Sequence, residues 1–96
     1  MIKKSKISKQ TTILIVTING YVSMKTIKNL YQSYKIIIVE NNNDLTLKKK
    51  LKNKFGKISV LVPRENLGFG GGNNFGFKKI KTPNVLILNP DVEISK

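Results

Sequence analysis

With 96 residues, a formal net charge of +13 and neither cysteine nor histidine, the chain has room for one small domain. It lacks the side chains for disulfides, for thiolate or imidazole metal sites and for Cys or His nucleophile pairs. No apolar run approaches the roughly 18 residues of a membrane span, and Met1 to Lys6 lead into a mixed segment rather than the apolar stretch of a signal peptide, so a cytoplasmic protein is expected.

The charge invites a nucleic-acid or anionic-membrane reading, because clustered cations attract phosphate. Arg64 is the single arginine among eighteen basic residues, and arginine is the side chain that grips bases and phosphates bidentately. Abundant Lys, Asn and Ile are what an A+T-rich coding sequence produces. Most of the lysines therefore read as solvated faces, and a basic nucleic-acid or anionic-membrane module stays as the alternative.

Residues 1–11 are basic and aperiodic and read as a leader; residues 12–96 carry the domain. Ile13-Leu14-Ile15-Val16 is a short, continuous apolar run, the pattern of a strand buried on both faces of a parallel sheet. Met24, Ile27, Leu30 or Tyr31, and Tyr34 then recur at helical spacing behind Ser23, a candidate N-cap. Ile36-Ile37-Ile38-Val39 repeats the strand signature. Leu47, Leu51 and Phe55 define a second helix, with Asp44 as a candidate cap, Lys48-Lys49-Lys50 on the wet side and Gly56 as terminator. Ile58 to Val62 form a third strand. The spacing of Phe77 and Ile80 predicts a short third helix that starts at Asn73 or Asn74 and ends before Thr82-Pro83. Val85-Leu86-Ile87-Leu88 closes a βαβ series whose right-handed crossovers bring the strand ends to one edge.

That edge carries the candidate chemistry. Ligands of open α/β sheets bind beyond the carboxyl ends of the strands, and here Thr17-Ile18-Asn19, Glu40 and Asn89-Pro90-Asp91 stand at three such ends. Each alone is explained by turn formation; together they suit hydrogen bonding to a base or ribose, or a hard divalent cation on a diphosphate. The segment from Glu65 to Gly76 is rich in glycine and asparagine. It matches neither the dinucleotide fingerprint nor a P-loop, so it reads either as a flexible turn for close helix–strand packing or as backbone N–H groups facing a polar ligand.

In order, Ile13 to Asn19, Ile37 to Asp44, Glu65 to Gly76 and Leu88 to Asp91 resemble the N-terminal half of family 2 glycosyltransferases, in flavour its rhamnosyltransferase-like branch. The resemblance implies a Rossmann-like GT-A, nucleotide-diphospho-sugar transferase fold: a three-layer α/β/α arrangement on a mainly parallel sheet, here incomplete. It implies transfer of a sugar from a nucleoside-diphosphate donor to a glycan or lipid-linked acceptor, with peripheral contact at the inner face of the cytoplasmic membrane. Thr17, Asn19, Glu40, Asn66 and Gly68 would surround the nucleotide. Asp91, in the position of the family's strand-end Asp-x-Asp motif, would hold Mg2+ or Mn2+ on the donor diphosphate.

The sequence also departs from the family. Ile18 stands where an aromatic is common, Glu40 replaces an aspartate, and the turn after it lacks the usual Ser or Thr. The family's general base lies in a region with no counterpart here, and Glu93, the acid after the motif, is not assigned that role. The expectation is a truncated donor-binding portion whose fourth strand is left as an apolar edge. A nucleotidyltransferase of the same fold would need pyrophosphate-releasing machinery that the sequence does not display.

Overall fold

The computed structural model describes residues 9–94, so residues 1–8 of the expected leader lie outside them. The elements are β1 (Thr11–Thr17), α1 (Met24–Leu30), β2 (Lys35–Glu40), α2 (Thr46–Lys54), β3 (Ser59–Leu61), α3 (Gly68–Phe77) and β4 (Asn84–Leu88). The four strands form one sheet in the order β3-β2-β1-β4, and every pairing is parallel. β1 starts one residue before the boundary expected from sequence.

The continuous apolar runs of β1 and β2 are explained by helices on both faces of the sheet. Ile13, Ile15, Ile36 and Ile38 point to one side and pack with Ile27 of α1 and Leu47, Leu51 and Phe55 of α2. Leu14, Val16, Ile37 and Val39 point to the other and meet Phe75 of α3 and Ile80. Burying each such side chain contributes about 1.5–3 kcal/mol, which makes these two central strands the main source of stability. The result is the expected three-layer α/β/α arrangement.

Local signals place the first two helices. Ser23 caps α1 by accepting a hydrogen bond from the Thr26 N–H at 3.3 Å. Asp44 acts just ahead of α2, where one carboxylate oxygen accepts from the Thr46 N–H at 2.9 Å and from its hydroxyl at 2.7 Å. Tyr31 and Phe55 lock the two helices together, with ring centroids 4.7 Å apart. Gly56 follows the C-cap Phe55 without the left-handed conformation of a glycine cap, since only Gly20 and Gly68 among the described glycines have positive φ.

The third helix corrects the sequence reading. It begins at Gly68 rather than Asn73 or Asn74 and ends at Phe77, so the glycine segment is itself helical and Ile80 lies beyond the end. Glycine disfavours a helix interior by about 1 kcal/mol per residue; contact with the sheet outweighs that here. A Cβ on Gly76 would stand 2.5 Å from Leu14 Cδ1, and one on Gly72 would stand 2.7 Å from Val16 Cγ1. The helix lies so close to β1 and β2 that a side chain at either position would have to displace Leu14 or Val16.

β4 is one of the two edge strands. Val85, Leu86 and Ile87 are 40%, 46% and 41% exposed, while Leu88 packs against the core; no other described strand pairs with its outer edge.

Candidate functional site at the carboxyl edge of the sheet

The register fixes the site. Thr17, the last residue of β1, pairs with Glu40, the last of β2. On the other side Ile15 pairs with Leu88, so the Asn89-Pro90-Asp91 turn follows β4 at the same level. A backbone hydrogen bond from the Ser23 N–H to the Pro90 carbonyl, at 2.9 Å, ties that turn to the loop after β1.

Glu40 is the centre of the arrangement. Its side chain is 1% exposed, and its Oε2 is one of two buried side-chain atoms among the described residues without a hydrogen-bond partner, the other being Asn73 Oδ1. Burial raises the Glu40 carboxyl above its ordinary value; the Gly20 N–H pulls it partly back and the neighbouring Asp44 carboxylate raises it further. An unpaired buried carboxylate is costly, and a ligand that brings an N–H or O–H donor would relieve the cost. Gly20 belongs to this arrangement because of its backbone: with φ of +74° it turns the chain directly over the carboxylate. A cavity of about 180 Å³, lined by Asn19, Gly20, Glu40, Asp44, Thr46 and Lys50 among others, opens beside it.

Thr17 and Asn19 have distinct parts. Thr17 is buried, and its hydroxyl donates to Asn19 Oδ1 at 3.3 Å. That oxygen also accepts from the Tyr21 N–H at 3.1 Å. With its oxygen occupied, the exposed Asn19 presents its Nδ2 as a donor beside the cavity. Thr17 therefore helps position Asn19.

Asn66 and Gly68 arrive by another route. Asn66 Oδ1 accepts from the Gly68 N–H at 2.8 Å, which forms a tight turn, and Gly68 takes φ of +75°, a conformation that favours glycine. The residue that docks this turn on the sheet is Asn41, fully buried next to Glu40. Its Oδ1 accepts from the Leu67 N–H at 2.8 Å and its Nδ2 donates to the Gly68 carbonyl at 2.7 Å. The sequence reading did not single out Asn41. Nothing in the run Asn41-Asn42-Asn43 separates it from its neighbours except strand alternation, which carries it toward α3 while Glu40 points the other way.

Asp91 is exposed at the same edge. No group of three or more acidic, His or Cys residues suited to a metal ion occurs among the described residues. A single carboxylate fits Mg2+ or Mn2+ only when ligand phosphates and water complete the shell, the usual way Mg2+ is held on nucleotides. It does not fit a resident structural metal.

The turn carrying Asp91 is anchored from α1, a second feature the sequence did not reveal. Thr26 Oγ1 donates to the Val92 carbonyl at 2.7 Å and accepts from the Ile94 N–H at 2.8 Å, while Asn29 Nδ2 donates to the Ile94 carbonyl at 2.7 Å. Two side chains spaced one helical turn apart thus hold the extended tail along the helix.

A parallel sheet with a polar, carboxylate-bearing edge is the frame of a nucleotide-binding α/β domain. Among solved structures, the chain is similar to TarS 1-349 of S. aureus, both as that protein alone (TM-score 0.69, 20% identity, 88% of this chain and 28% of that one) and in complex with UDP (TM-score 0.67, 21% identity, 86% and 28%). The likeness shows the GT-A fold. In sequence it is 32% identical over 91 residues to the low-salt glycan biosynthesis hexosyltransferase Agl10 of Haloferax volcanii, covering 86% of this chain and 29% of that protein. Residues 13–96 match the model of glycosyl transferase family 2, and the chain belongs to that family. It spans less than a third of the length of these relatives.

Proposed function

We propose that the chain is the donor-binding portion of an inverting glycosyltransferase that moves a sugar from a nucleoside diphosphate to a glycan or lipid-linked acceptor. The observation that carries this reading is the buried Glu40 carboxylate with one unpartnered oxygen, beside a small cavity at the carboxyl edge of the sheet. A nucleobase N–H donated to Glu40 Oε2 would satisfy that oxygen in place of water. Asn19 Nδ2 would add a donor to the base or ribose. The turn from Asn66 to Gly68, held by Asn41, would shape the wall on the α3 side. Asp91 would hold Mg2+ or Mn2+ together with the donor diphosphate, where a cation stabilises the charge that develops on the leaving nucleotide.

The UDP bound to TarS supports a nucleoside diphosphate as the donor class, and the order of motifs favours the rhamnosyltransferase-like branch. Among the described residues no helix is long and apolar enough to cross a membrane; peripheral contact at the inner face of the cytoplasmic membrane agrees with a lipid-linked acceptor. The basic charge by itself does not compete with this reading, because the carboxylate edge has no role in a module that acts through charge alone.

Calorimetric titration of the chain with UDP and dTDP, with and without Mn2+, tests the proposal. Binding is expected to depend on Mn2+ and to be lost in Asp91→Ala, while Glu40→Gln weakens the metal-dependent binding. No binding by folded wild-type chain, or binding indifferent to both substitutions, would refute it.

A further inference from the structure

The carboxylate edge has a counterpart at the opposite end of the strands. Lys9 precedes β1, Lys35 opens β2, Lys57 precedes β3, and Lys79 and Lys81 lie between α3 and β4. All five are exposed, and the segments that lead into the four strands at this edge contain no acid. The acids lie elsewhere: Glu40, Asp44, Glu65 and Asp91 follow the carboxyl ends of strands, and Glu93 is in the tail tied along α1. The amino-terminal edge is therefore basic without counter-charge, whereas at the carboxyl edge the acids share the surface with cations, Lys50 lining the Glu40 cavity and Arg64 following β3.

The lysines border two adjoining concave surfaces rather than a convex face. One, of about 480 Å³, brings together Lys9, Lys35 and Lys57 with Tyr31, Tyr34 and Ile36. The other, of about 310 Å³, shares Lys35 and Lys57 and adds Lys79 and Lys81.

We propose that the amino-terminal edge of the sheet, through Lys9, Lys35, Lys57, Lys79 and Lys81, is a docking surface for an anionic phospholipid membrane. Charge complementarity carries the assignment, and three details favour lipid over nucleic acid. The cations are all lysines, mobile point charges suited to a diffuse layer of headgroups rather than to bidentate recognition. Tyrosines with apolar bodies and polar tips lie among them, the composition of a surface that meets the headgroup region. The single arginine, Arg64, follows β3 at the other edge. Docking this way leaves the carboxylate edge facing solvent, where a soluble nucleotide and a glycan extending from its membrane anchor can reach it. The assignment does not depend on the glycosyltransferase reading.

The test is co-sedimentation of the chain with vesicles of phosphatidylcholine alone and with about one third phosphatidylglycerol, at near-physiological ionic strength. Each lysine near an anionic leaflet contributes roughly fivefold to partitioning. The variant Lys35→Ala/Lys57→Ala/Lys79→Ala/Lys81→Ala should thus lose about 100-fold or more. The control Lys25→Ala/Lys48→Ala/Lys49→Ala removes three charges from the opening turns of α1 and α2. These turns follow the carboxyl ends of β1 and β2, opposite the proposed surface, and exposed charges farther apart than a screening length of roughly 8–10 Å contribute little, so the control should lose less than about fivefold. Circular dichroism checks that both variants, changed only at exposed positions, remain folded. Equal losses in the two variants, or no preference of the wild type for anionic vesicles, would overturn the proposal. So would displacement from vesicles by inorganic phosphate at constant ionic strength, which would indicate a site for free phosphate. Tighter binding of a single-stranded oligonucleotide through the same four lysines would overturn it in favour of nucleic acid. Metal-dependent titration with UDP should be unchanged in both variants, which separates failure here from failure of the donor site.

Discussion

Asn41 offers a quantitative test of how the site is assembled. Its amide makes two hydrogen bonds of 2.7 and 2.8 Å to the turn at Leu67-Gly68, and the side chain has no exposure. Asn41→Ala removes both bonds, and at about 0.5–1.5 kcal/mol each the loss is about 1–3 kcal/mol. Asn41→Asp is nearly isosteric, yet it should be worse at neutral pH. One carboxylate oxygen keeps the Leu67 N–H, but the other replaces Nδ2 and faces the Gly68 carbonyl oxygen, acceptor against acceptor, with an uncompensated buried charge. A cost of about 3–5 kcal/mol is the expected scale for stranding such a charge, and each kcal/mol lowers the melting temperature by about 4–8 °C in a domain of this size. The introduced carboxyl has a folded-state pKa above its unfolded value. The Asp variant is therefore relatively more stable below the unfolded value, where the protonated group donates to Gly68, and loses that stability as pH rises through the folded value. Urea denaturation of the three proteins at pH 7 and near pH 4 measures both effects. An Asp variant at least as stable as the Ala variant at pH 7, or a difference that does not shrink on acidification, would refute the geometry of this clamp.

Two more substitutions separate close packing from propensity and report the buried acid. Gly70 has open space around its α-carbon, whereas a Cβ on Gly76 meets Leu14 and Val39; Gly70→Ala should stabilise by up to about 1 kcal/mol and Gly76→Ala should destabilise by about 1–2 kcal/mol, and thermal melts that give the same sign for both would contradict the tight seating of α3. Glu40 has a raised folded-state pKa, so its contribution is most favourable below its ordinary value of 4.5 and is lost as pH rises through the folded value. Glu40→Gln should consequently melt higher than the wild type at pH 7, with the gain vanishing near pH 4. A lower melting temperature at pH 7 would mean that the carboxylate is already well satisfied.

Much of this architecture is legible in the residues themselves. Four apolar runs of strand length, separated by amphipathic segments, define a parallel sheet; burial on both faces explains the runs of β1 and β2, while β4, equally apolar, is exposed. Ser23 and Asp44 mark the helix starts because their side chains serve backbone donors nearby in sequence. Parallel connection alone places Thr17, Glu40 and Asp91 at one edge. Local propensity misleads at the glycine segment, where five glycines argue against a helix that forms nonetheless.

Contacts between distant segments supply what local signals lack. Gly72 and Gly76 suit glycine because α3 passes within Cβ distance of Val16 and Leu14, a constraint visible only once sheet and helix meet. Asn41 among three asparagines, and Thr26 and Asn29 among the polar residues of α1, acquire their roles from backbone groups 26 to 68 residues away in the chain. The sequence by itself determined the order of elements, the buried strands and the edge that bears the carboxylates, since these depend on short-range periodicity and chain direction. Tertiary structure alone decided which asparagine holds the Leu67-Gly68 turn, which glycines meet the sheet and which lysines from separate segments share one edge, since these depend on the space left where non-neighbouring elements pack.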